Sequence, residues 1–475
     1  MHSTLPEKFD SKIYTIFDSF RNYDINYCHW KSNSHLDKSF ESISDFDLLI
    51  DSKDTEKFLT LMHDFKFKRK FSSANYVYPG FDDFLGFDEF SGKIYHFHVH
   101  YKLIIGKKNQ KNFRIPVEKL ILDTAISHDK FPIRVILPEL EFIFLILRAL
   151  LKFGLDLKNI KKMIVKRKKF PPNILEEFEY LRKLINKDLF YSYCNNMFSD
   201  LLWIFKVLSS KSPQAVPLYW LVAARYRLVK SLRKYRIFGG KQFNTQRRIR
   251  ILSSRYNMGW LNNGGISIGF IGVDGSGKTT TIDLIKRWLN SKLSVKSFYM
   301  GLPKGNLTWE FYRFFFRLFK KLGISFLSEK FNILKNIYSA KIKYKTFLAS
   351  EMAKNQGNVV LLDRYPLQEL WALSDEPTDG PLIKDNAYWQ SIERKYYKKI
   401  KPADYIFVLM TEHEDAVNRK SEHKSEYKQI AIRQKGREIS KLVKSKRNYL
   451  IPINNSGNRE KVLIEIKRKI WSILN

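Results

Sequence analysis

Cysteine is nearly absent from this sequence of 475 residues, which contains only Cys28 and Cys194. Two cysteines cannot form a disulfide framework or a zinc site made of cysteine alone. The first residues, Met1 to Pro6, are not typical of a secretory signal peptide. We therefore expect a cytoplasmic protein.

Long uncharged apolar runs are also lacking. The best candidate, Phe142 to Leu151, is interrupted by Arg148 and followed by Lys152. A helix that crosses a bilayer needs about 20 predominantly apolar residues, so the sequence predicts no membrane span. The hydrophobic content of 44% is still enough for sizeable cores, and the length predicts two to four domains.

Acidic residues are scarce relative to basic ones. The sequence has 84 Lys and Arg against 48 Asp and Glu, a net charge of +36, and no acidic residue lies between Asp200 and Asp274. A charge of this sign indicates anionic partners. A surplus of cations alone does not say which anion is bound.

The basic segment 218–255 combines aromatic and cationic residues, as helices at membrane surfaces do. Docking on an anionic membrane, at the inner face, is one interpretation. Nucleic acid would be attracted by the same charge and is the less favoured partner. A packed helix whose cations reach water is a further interpretation. A homodimer is left open.

A glycine-rich motif stands after the apolar run 266–273 and before a helical pattern: Gly272-Val273-Asp274-Gly275-Ser276-Gly277-Lys278-Thr279. Glycines let the backbone N–H groups and the next helix's N-terminus converge on a triphosphate, while Lys278 reaches the β- and γ-phosphates and Thr279 binds Mg²⁺. The sequence therefore predicts a site for ATP and Mg²⁺. Its nucleotide-binding residues are Gly272, Asp274, Gly275, Ser276, Gly277, Lys278, Thr279 and Thr280.

Four more apolar runs follow this motif and alternate with helical patterns, at 295–299, 359–362, 401–410 and 450–453. Such alternation predicts an α/β domain with a five-stranded parallel sheet and helices on both faces. Asp363, directly after the third strand, would then face Mg²⁺ opposite Thr279, at the edge where parallel strands end.

Arg364 follows Asp363, where ATPases commonly carry a Glu that activates water. An Arg there suits an anionic acceptor held in line with the γ-phosphoryl group. A cation-rich stretch that begins near Glu412 and includes Arg419 fits a lid over the phosphates. We predict Lys278, Asp363, Arg364 and Arg419 as catalytic residues.

Phe270 to Thr280 together with Asp363-Arg364-Tyr365 resemble the thymidylate kinase family of nucleoside monophosphate kinases, over about residues 265–475. The resemblance implies that Asp274 approaches the sugar hydroxyl of the acceptor and Arg364 its phosphate. It also implies that the lid, through Arg419, supplies the transition-state cation. The family's Arg-Glu-Pro motif is replaced by Tyr299 to Pro303, so the resemblance supports phosphoryl transfer better than it supports recognition of thymine. The expected acceptor is a nucleoside monophosphate or a sugar phosphate.

The first 130 residues predict a mixed α/β domain. Alternation along the strand 45–50 puts Asp45 and Asp47 on one face, where two carboxylates can hold Mg²⁺ against a triphosphate. The run 95–100 places His96, His98 and His100 on one side. These imidazoles either form a zinc site with Asp45 or Asp47 or are surface histidines.

This region resembles the nucleotidyltransferase superfold, in which a Ser near a helix start precedes an acidic D-x-D strand. The resemblance implies that Ser32 contacts phosphate and that Asp45 and Asp47 are metal ligands.

Long helical patterns begin at Pro138, which predicts a helical second domain. The expected divisions are a nucleotidyltransferase-like domain over 1–130, a helical domain over 131–238, a linker over 239–264 and a P-loop kinase domain over 265–475.

The leading hypothesis is phosphoryl transfer from ATP to a small phosphorylated acceptor. One rival is a regulatory or membrane-docking NTPase. Another is a sugar-phosphate kinase of polysaccharide biosynthesis, whose N-terminal domain is non-catalytic or transfers nucleotidyl groups.

Overall fold

A computed structural model describes residues 11–71, 80–106, 111–153, 169–237, 259–261, 264–372, 380–412 and 426–474. The chain forms two compact units, residues 1–257 and 258–475. The finer division of the first unit into an α/β and a helical domain stays a prediction. Among the described helices, none has both the length and the apolar run needed to cross a bilayer.

The first unit begins with a mixed α/β region and continues with helices. Its strands are β1 (Tyr27–His29), β2 (Phe46–Ile50), β3 (Lys68–Phe71), β4 (Phe81–Phe87), β5 (Ile94–His100), β6 (Ile104–Ile105), β7 (Phe113–Arg114), β8 (Ile126–Ser127) and β9 (Arg134–Val135). Its α-helices are α1 (Ser11–Asn22), α2 (Leu36–Phe40), α3 (Thr55–Asp64), α4 (Glu118–Asp123), α5 (Pro138–Lys152), α6 (Pro172–Leu184), α7 (Lys187–Phe198), α8 (Leu202–Ser210) and α9 (Leu218–Ser231).

Within this unit, neighbouring strands of the main sheet follow the order β3, β4, β5, β2, β1, β9, β8. Strand β5 is therefore internal, antiparallel to β4 and parallel to β2. Side chains alternate between the two faces of a strand. Leu48 packs with Phe17 and Phe58 of helices α1 and α3, whereas Leu49 belongs to a second core that includes most of α5. Both faces of the sheet are thus covered.

Helix α9 carries part of the basic segment that the sequence analysis relates to membranes. Leu221, Ala224 and Leu228 are buried in the core that contains α5, whereas Tyr219 is 77% exposed. One face of α9 is therefore a packing face. Membrane docking through 218–255 stays a prediction, and residues 238–255 lie outside the described part of the chain.

The second unit is built on alternating strands and helices. Its strands are β10 (Trp260–Leu261), β11 (Ile266–Gly272), β12 (Val295–Tyr299), β13 (Val359–Asp363), β14 (Tyr405–Met410) and β15 (Leu450–Asn454). Its helices are α10 (Lys278–Asn290), α11 (Leu307–Lys321), α12 (Ser325–Asn355), α13 (Gln368–Ala372), α14 (Ala387–Lys398), α15 (Glu426–Lys444) and α16 (Arg459–Ile473).

Five strands of this unit form one sheet in the order β12, β13, β11, β14, β15, with every neighbouring pair parallel. The predicted five-stranded parallel sheet is confirmed. Ile271 and Leu362 face a core with residues of α12 and α15, and on the opposite face Phe270 stacks on Phe407 with ring centroids 5.5 Å apart. The sheet is thus apolar on both sides, as parallel sheets usually are.

The aromatic helix α11 packs along α12. Phe315 and Phe319 stack on Phe331 of α12, with ring centroids 5.2 and 5.5 Å apart. Phe311, one turn before Phe315 in the same row, is 53% exposed, and Phe314, on another side of α11, is 60% exposed. Helix α11 therefore packs along α12 and still exposes two aromatic side chains.

Candidate active site

The glycine-rich motif forms a tight loop between β11 and α10. Gly275 and Gly277 have φ angles of +89° and +78°, a region that L side chains rarely adopt. At Gly272 a Cβ would lie 2.6 Å from the Ser276 hydroxyl oxygen and 2.8 Å from the carbonyl oxygen of Leu409. Glycine is needed at Gly275 and Gly277 because the backbone there has a positive φ, and at Gly272 because the backbone packs closely against β14.

Lys278, the first residue of α10, is folded back over this loop. Its Nζ donates hydrogen bonds to the carbonyl oxygens of Gly272, at 2.9 Å, and Val273, at 2.8 Å. Asp274 Oδ1 lies 3.9 Å from the same ammonium group. The side chain is buried, so its charge lies inside the loop that precedes the helix N-terminus.

Thr279 and Asp363 meet at the carboxyl edge of the sheet. The parallel register pairs Phe270 of β11 with Asp363 of β13, so the end of β13 lies beside the loop. Thr279 Oγ1 donates a hydrogen bond of 2.9 Å to Asp363 Oδ2. The other oxygen, Oδ1, is buried and has no hydrogen-bond partner among the described residues.

Arg364 turns back toward the loop. Its φ angle is +54°, which costs a non-glycine residue about 1 kcal/mol. Nη2 lies 3.3 Å from Asp274 Oδ1, and both side chains are partly exposed. A Cβ at Gly301 would lie 2.8 Å from Arg364 Cδ, so the absent side chain leaves room for the arginine.

These groups line a cleft of about 480 Å³. Its lining also includes Asn455 and Arg459, from the loop after β15 and the start of α16. Asn455 Nδ2 donates a hydrogen bond to the backbone oxygen of Ser276. The sequence analysis did not select either residue, although β15 ends at the same edge of the sheet as β11.

The structure brings together most of the residues predicted for this site. Asp274, Gly275, Gly277, Lys278, Thr279, Thr280 and Arg364 line the cleft, Gly272 and Ser276 belong to the loop, and Asp363 is hydrogen-bonded to Thr279. Arg419 lies outside the described residues, so its role stays a prediction.

The other two predicted metal ligands, Asp45 and Asp47, belong to the first unit and have different partners. Asp47 Oδ1 lies 2.7 Å from Lys31 Nζ. Asp45 instead contacts histidines of β5: Oδ1 lies 3.3 Å from His96 Nδ1, and Oδ2 lies 3.0 Å from His98 Nε2. Ser32, which the resemblance places on phosphate, donates a hydrogen bond of 3.0 Å to Glu177.

A third carboxylate, Asp83 of β4, completes this cluster. Its Oδ1 lies 2.9 Å from His96 Nε2 and 2.5 Å from His98 Nδ1. Asp83 was not predicted as a site residue, because no strand was predicted at 81–87. The interpretation of these imidazoles as surface histidines is wrong, because His96 is 3% and His100 1% exposed. Trp30 and the α5 core cover that face of the sheet, with the His100 ring 5.2 Å from that of Trp30.

The cluster shifts the pKa values of its members. Burial alone would lower the pKa of His98, but the carboxylates of Asp45 and Asp83 outweigh it and raise the pKa to about 9. Burial would raise the pKa of Asp45 and Asp83, but hydrogen bonds from His96 and His98 hold both well below the usual range. The charged forms of His98, Asp45 and Asp83 are thus favoured.

No family model and no curated protein matches this chain. Among solved structures, the chain is similar to the M. mycoides deoxyadenosine kinase with products dCMP and dCDP bound, at a TM-score of 0.31 and 14% identity over 44% of this chain and 100% of that one. It is also similar to the Candida albicans thymidylate kinase, at a TM-score of 0.29 and 15% identity over 44% of this chain and 91% of that one. Likenesses this weak assign neither a family nor a substrate.

Proposed function

We propose that the second unit transfers the γ-phosphoryl group of ATP to a small molecule that already carries an ionised phosphate, such as a nucleoside monophosphate or a sugar phosphate. The observation that carries this proposal is the Thr279–Asp363 pair beside the glycine-rich loop. It places a hydroxyl and a carboxylate next to a helix N-terminus, where phosphate groups bind.

The pair also fits Mg²⁺, a cation that prefers oxygen ligands. The Thr279 hydroxyl and the buried Oδ1 of Asp363, which has no hydrogen-bond partner in the part of the chain that the structure describes, are the oxygens that would hold the ion, directly or through water. When bound, Mg²⁺ would neutralise charge on the β- and γ-phosphates. The backbone N–H groups at the start of α10 would orient the triphosphate, and Lys278 would leave its loop carbonyl groups to contact the phosphate oxygens.

The position of Arg364 supports a kinase rather than an NTPase. Its guanidinium lies at the mouth of the cleft beside Asp274 and suits a second anion. An oxygen of the acceptor phosphate would attack the γ-phosphorus while the bond to the β–γ bridging oxygen breaks, which releases ADP. An ionised acceptor oxygen needs no general base. This agrees with the sequence after Asp363, where Arg364 stands in place of the Glu that acts as the general base in ATPases.

The test is ADP release from Mg·ATP by the full chain, measured with and without a panel of nucleoside monophosphates and sugar phosphates. We expect ADP release to require one class of acceptor, and the acceptor to gain the mass of one phosphoryl group. The Lys278→Ala variant, purified in the same way, controls for contaminating kinases. ADP release at the same rate without any acceptor would instead support an NTPase.

A further inference from the structure

The Asp–His cluster of the first unit has a pattern that goes beyond the proposed phosphoryl transfer. Each imidazole has one ring nitrogen near Asp83 and the other near Asp45. Asp83 is 6% exposed, whereas the side chains of Asp45 and His98 are 31% and 27% exposed. The Asp83 side is therefore closed, and the Asp45 side is open to solvent.

We propose that Asp45, His96 Nδ1 and His98 Nε2 bind one divalent transition-metal ion of the Zn²⁺ class, and that Asp83 orients both imidazoles from behind. Donor atoms of the three ligands lie within 4.8 Å of one another. Two imidazoles and one carboxylate suit Zn²⁺, Mn²⁺, Fe²⁺ or Co²⁺ better than Mg²⁺, which prefers oxygen ligands.

The role of Asp83 follows from the chemistry of metal-bound histidine. A ligating imidazole usually donates its second ring N–H to a carboxylate, which fixes the tautomer and the ring orientation. Asp83 Oδ1 is hydrogen-bonded to His96 Nε2 at 2.9 Å. It also lies 2.5 Å from His98 Nδ1, a close ionic contact outside hydrogen-bond geometry. The inner nitrogens, His96 Nδ1 and His98 Nε2, face the same carboxylate, Asp45, at 3.3 and 3.0 Å. A divalent ion bound between these three groups would take the place of the protons on the inner nitrogens, while the outer N–H groups stay directed at Asp83.

Two further features concern the ligand set. Asp47, the second carboxylate of the D-x-D strand, is paired with Lys31 at 2.7 Å, which is why we do not include it among the ligands. The three ligands and Asp83 are also held by paired strands: Asp45 directly precedes β2, the two histidines lie on β5, and Asp83 lies on β4. Strands hold side chains more precisely than loops do. The open side of Asp45 and His98 gives an ion a route of entry and leaves coordination positions for water or a ligand.

The proposal is tested on the untagged full chain, stripped with a chelator and titrated with Co²⁺ in excess Mg²⁺, which occupies sites made of oxygen. We expect one equivalent of Co²⁺ to produce visible d–d absorption bands, and one equivalent of Zn²⁺ to abolish them. His98→Ala and Asp45→Asn should each remove the bands. Both residues are partly exposed, so these variants should keep the wild-type circular dichroism spectrum. His63→Ala, whose side chain on α3 is 92% exposed, is the matched control and should bind as the wild type does.

Asp83→Asn separates the positioning role from ligation. We expect the bands to persist in this variant with an affinity about 10- to 100-fold weaker, because an uncharged amide oxygen replaces the carboxylate that orients the rings and raises their basicity. Absence of bands in the wild-type chain would overturn the metal site. Bands that survive unchanged in both His98→Ala and Asp45→Asn would also overturn it, because the cobalt would then be bound elsewhere. If the cluster is only a set of ion pairs, added Zn²⁺ will leave the thermal midpoint of the wild type unchanged.

Discussion

Thr279 and Asp363 are 84 positions apart in the sequence and joined by a hydrogen bond of 2.9 Å. The bond links the first turn of α10 to the end of β13 and gives the loop a neighbouring carboxylate. Parallel strands make this contact because both β11 and β13 deliver their C-terminal ends to the same edge.

Loss of the Lys278 ammonium group should stop phosphoryl transfer. We expect Lys278→Ala to lower kcat/KM by about 10²-fold or more, because a preorganised cation near the transferred charge is removed. Lys286→Ala, on the same helix but exposed and bonded to Ser297, should keep nearly full activity. A steady-state assay of both variants checks this, and near-normal turnover by Lys278→Ala would contradict the assignment.

Asp363→Asn should change the requirement for Mg²⁺. An amide in place of the carboxylate keeps the shape but removes the charge that would hold the ion. We expect the Mg²⁺ concentration for half-maximal activity to rise about tenfold or more. Asp283→Asn, an exposed change on α10, should leave it unaltered. A Mg²⁺ dependence in Asp363→Asn that equals the wild type would argue against a metal role.

Arg364→Ala should affect the acceptor more than ATP. A lost hydrogen bond to a charged group is worth about 1.5–3 kcal/mol, or roughly a 10- to 100-fold rise in the acceptor KM. The KM for ATP should change little in this variant. In the control variant Arg287→Ala, at an exposed arginine of α10, the KM values for ATP and for the acceptor should both stay close to the wild type. Equal rises in both KM values for Arg364→Ala would mean that this guanidinium does not select the acceptor.

Asp404 should give the second unit a pH-dependent stability. Its carboxylate accepts hydrogen bonds of 2.8 Å from Ser267 N and Oγ and one of 2.6 Å from Lys354 Nζ. Burial would raise the pKa of Asp404, but these partners lower it below the usual 3.8. A lowered pKa in the folded state stabilises the protein above the ordinary pKa, and this contribution is lost as pH falls through the folded value.

Because Asp404 is partly exposed, we expect Asp404→Asn to lower the free energy of unfolding by only about 1 kcal/mol at pH 7. The difference from the wild type should shrink in urea unfolding below about pH 4. Asp385→Asn, an exposed change, should show no such difference. If the difference in free energy of unfolding between Asp404→Asn and the wild type grew toward acid pH, the prediction would be wrong.

A fragment that starts at residue 258 should fold alone and be more stable than one that starts at Gly265. The backbone N–H of Ser294 donates to the Gly259 carbonyl oxygen at 3.2 Å, and a Cβ at Gly357 would lie only 3.1 Å from Trp260, so both early residues pack on this unit. Thermal unfolding of the two fragments compares them. Aggregation of both would mean that this unit needs residues from the first.

Local patterns predicted the position of the glycine-rich loop between a strand and a helix, because its glycines, Lys278 and Thr279 belong to one strand–loop–helix segment. Asp363 was also predictable, since a carboxylate directly after an apolar parallel strand lies at the sheet's C-terminal edge. Asn455 and Arg459 were missed because nothing in their local sequence marks them. They line the cleft only through the position of β15 in the sheet.

The histidine strand shows why burial was harder to predict. The alternation of apolar and polar residues from Tyr95 to His100 is typical of a strand with one solvent-exposed face. Strand β5, however, is internal, and helices cover both sides of its sheet. The contact of Asp83 with His96 and His98 depends on the pairing of β4 with β5, a register that composition and periodicity do not give.

The position of Lys278 has a consequence for which molecules the loop admits. Its ammonium group already donates hydrogen bonds to two backbone carbonyl oxygens, so a ligand must compete with these oxygens for the ammonium group. An uncharged compound of similar shape gains nothing by displacing neutral acceptors, whereas a polyanion gains a strong charge attraction. If the loop binds phosphate as proposed, the folded-back lysine would favour highly charged phosphate chains over nucleosides and other neutral molecules.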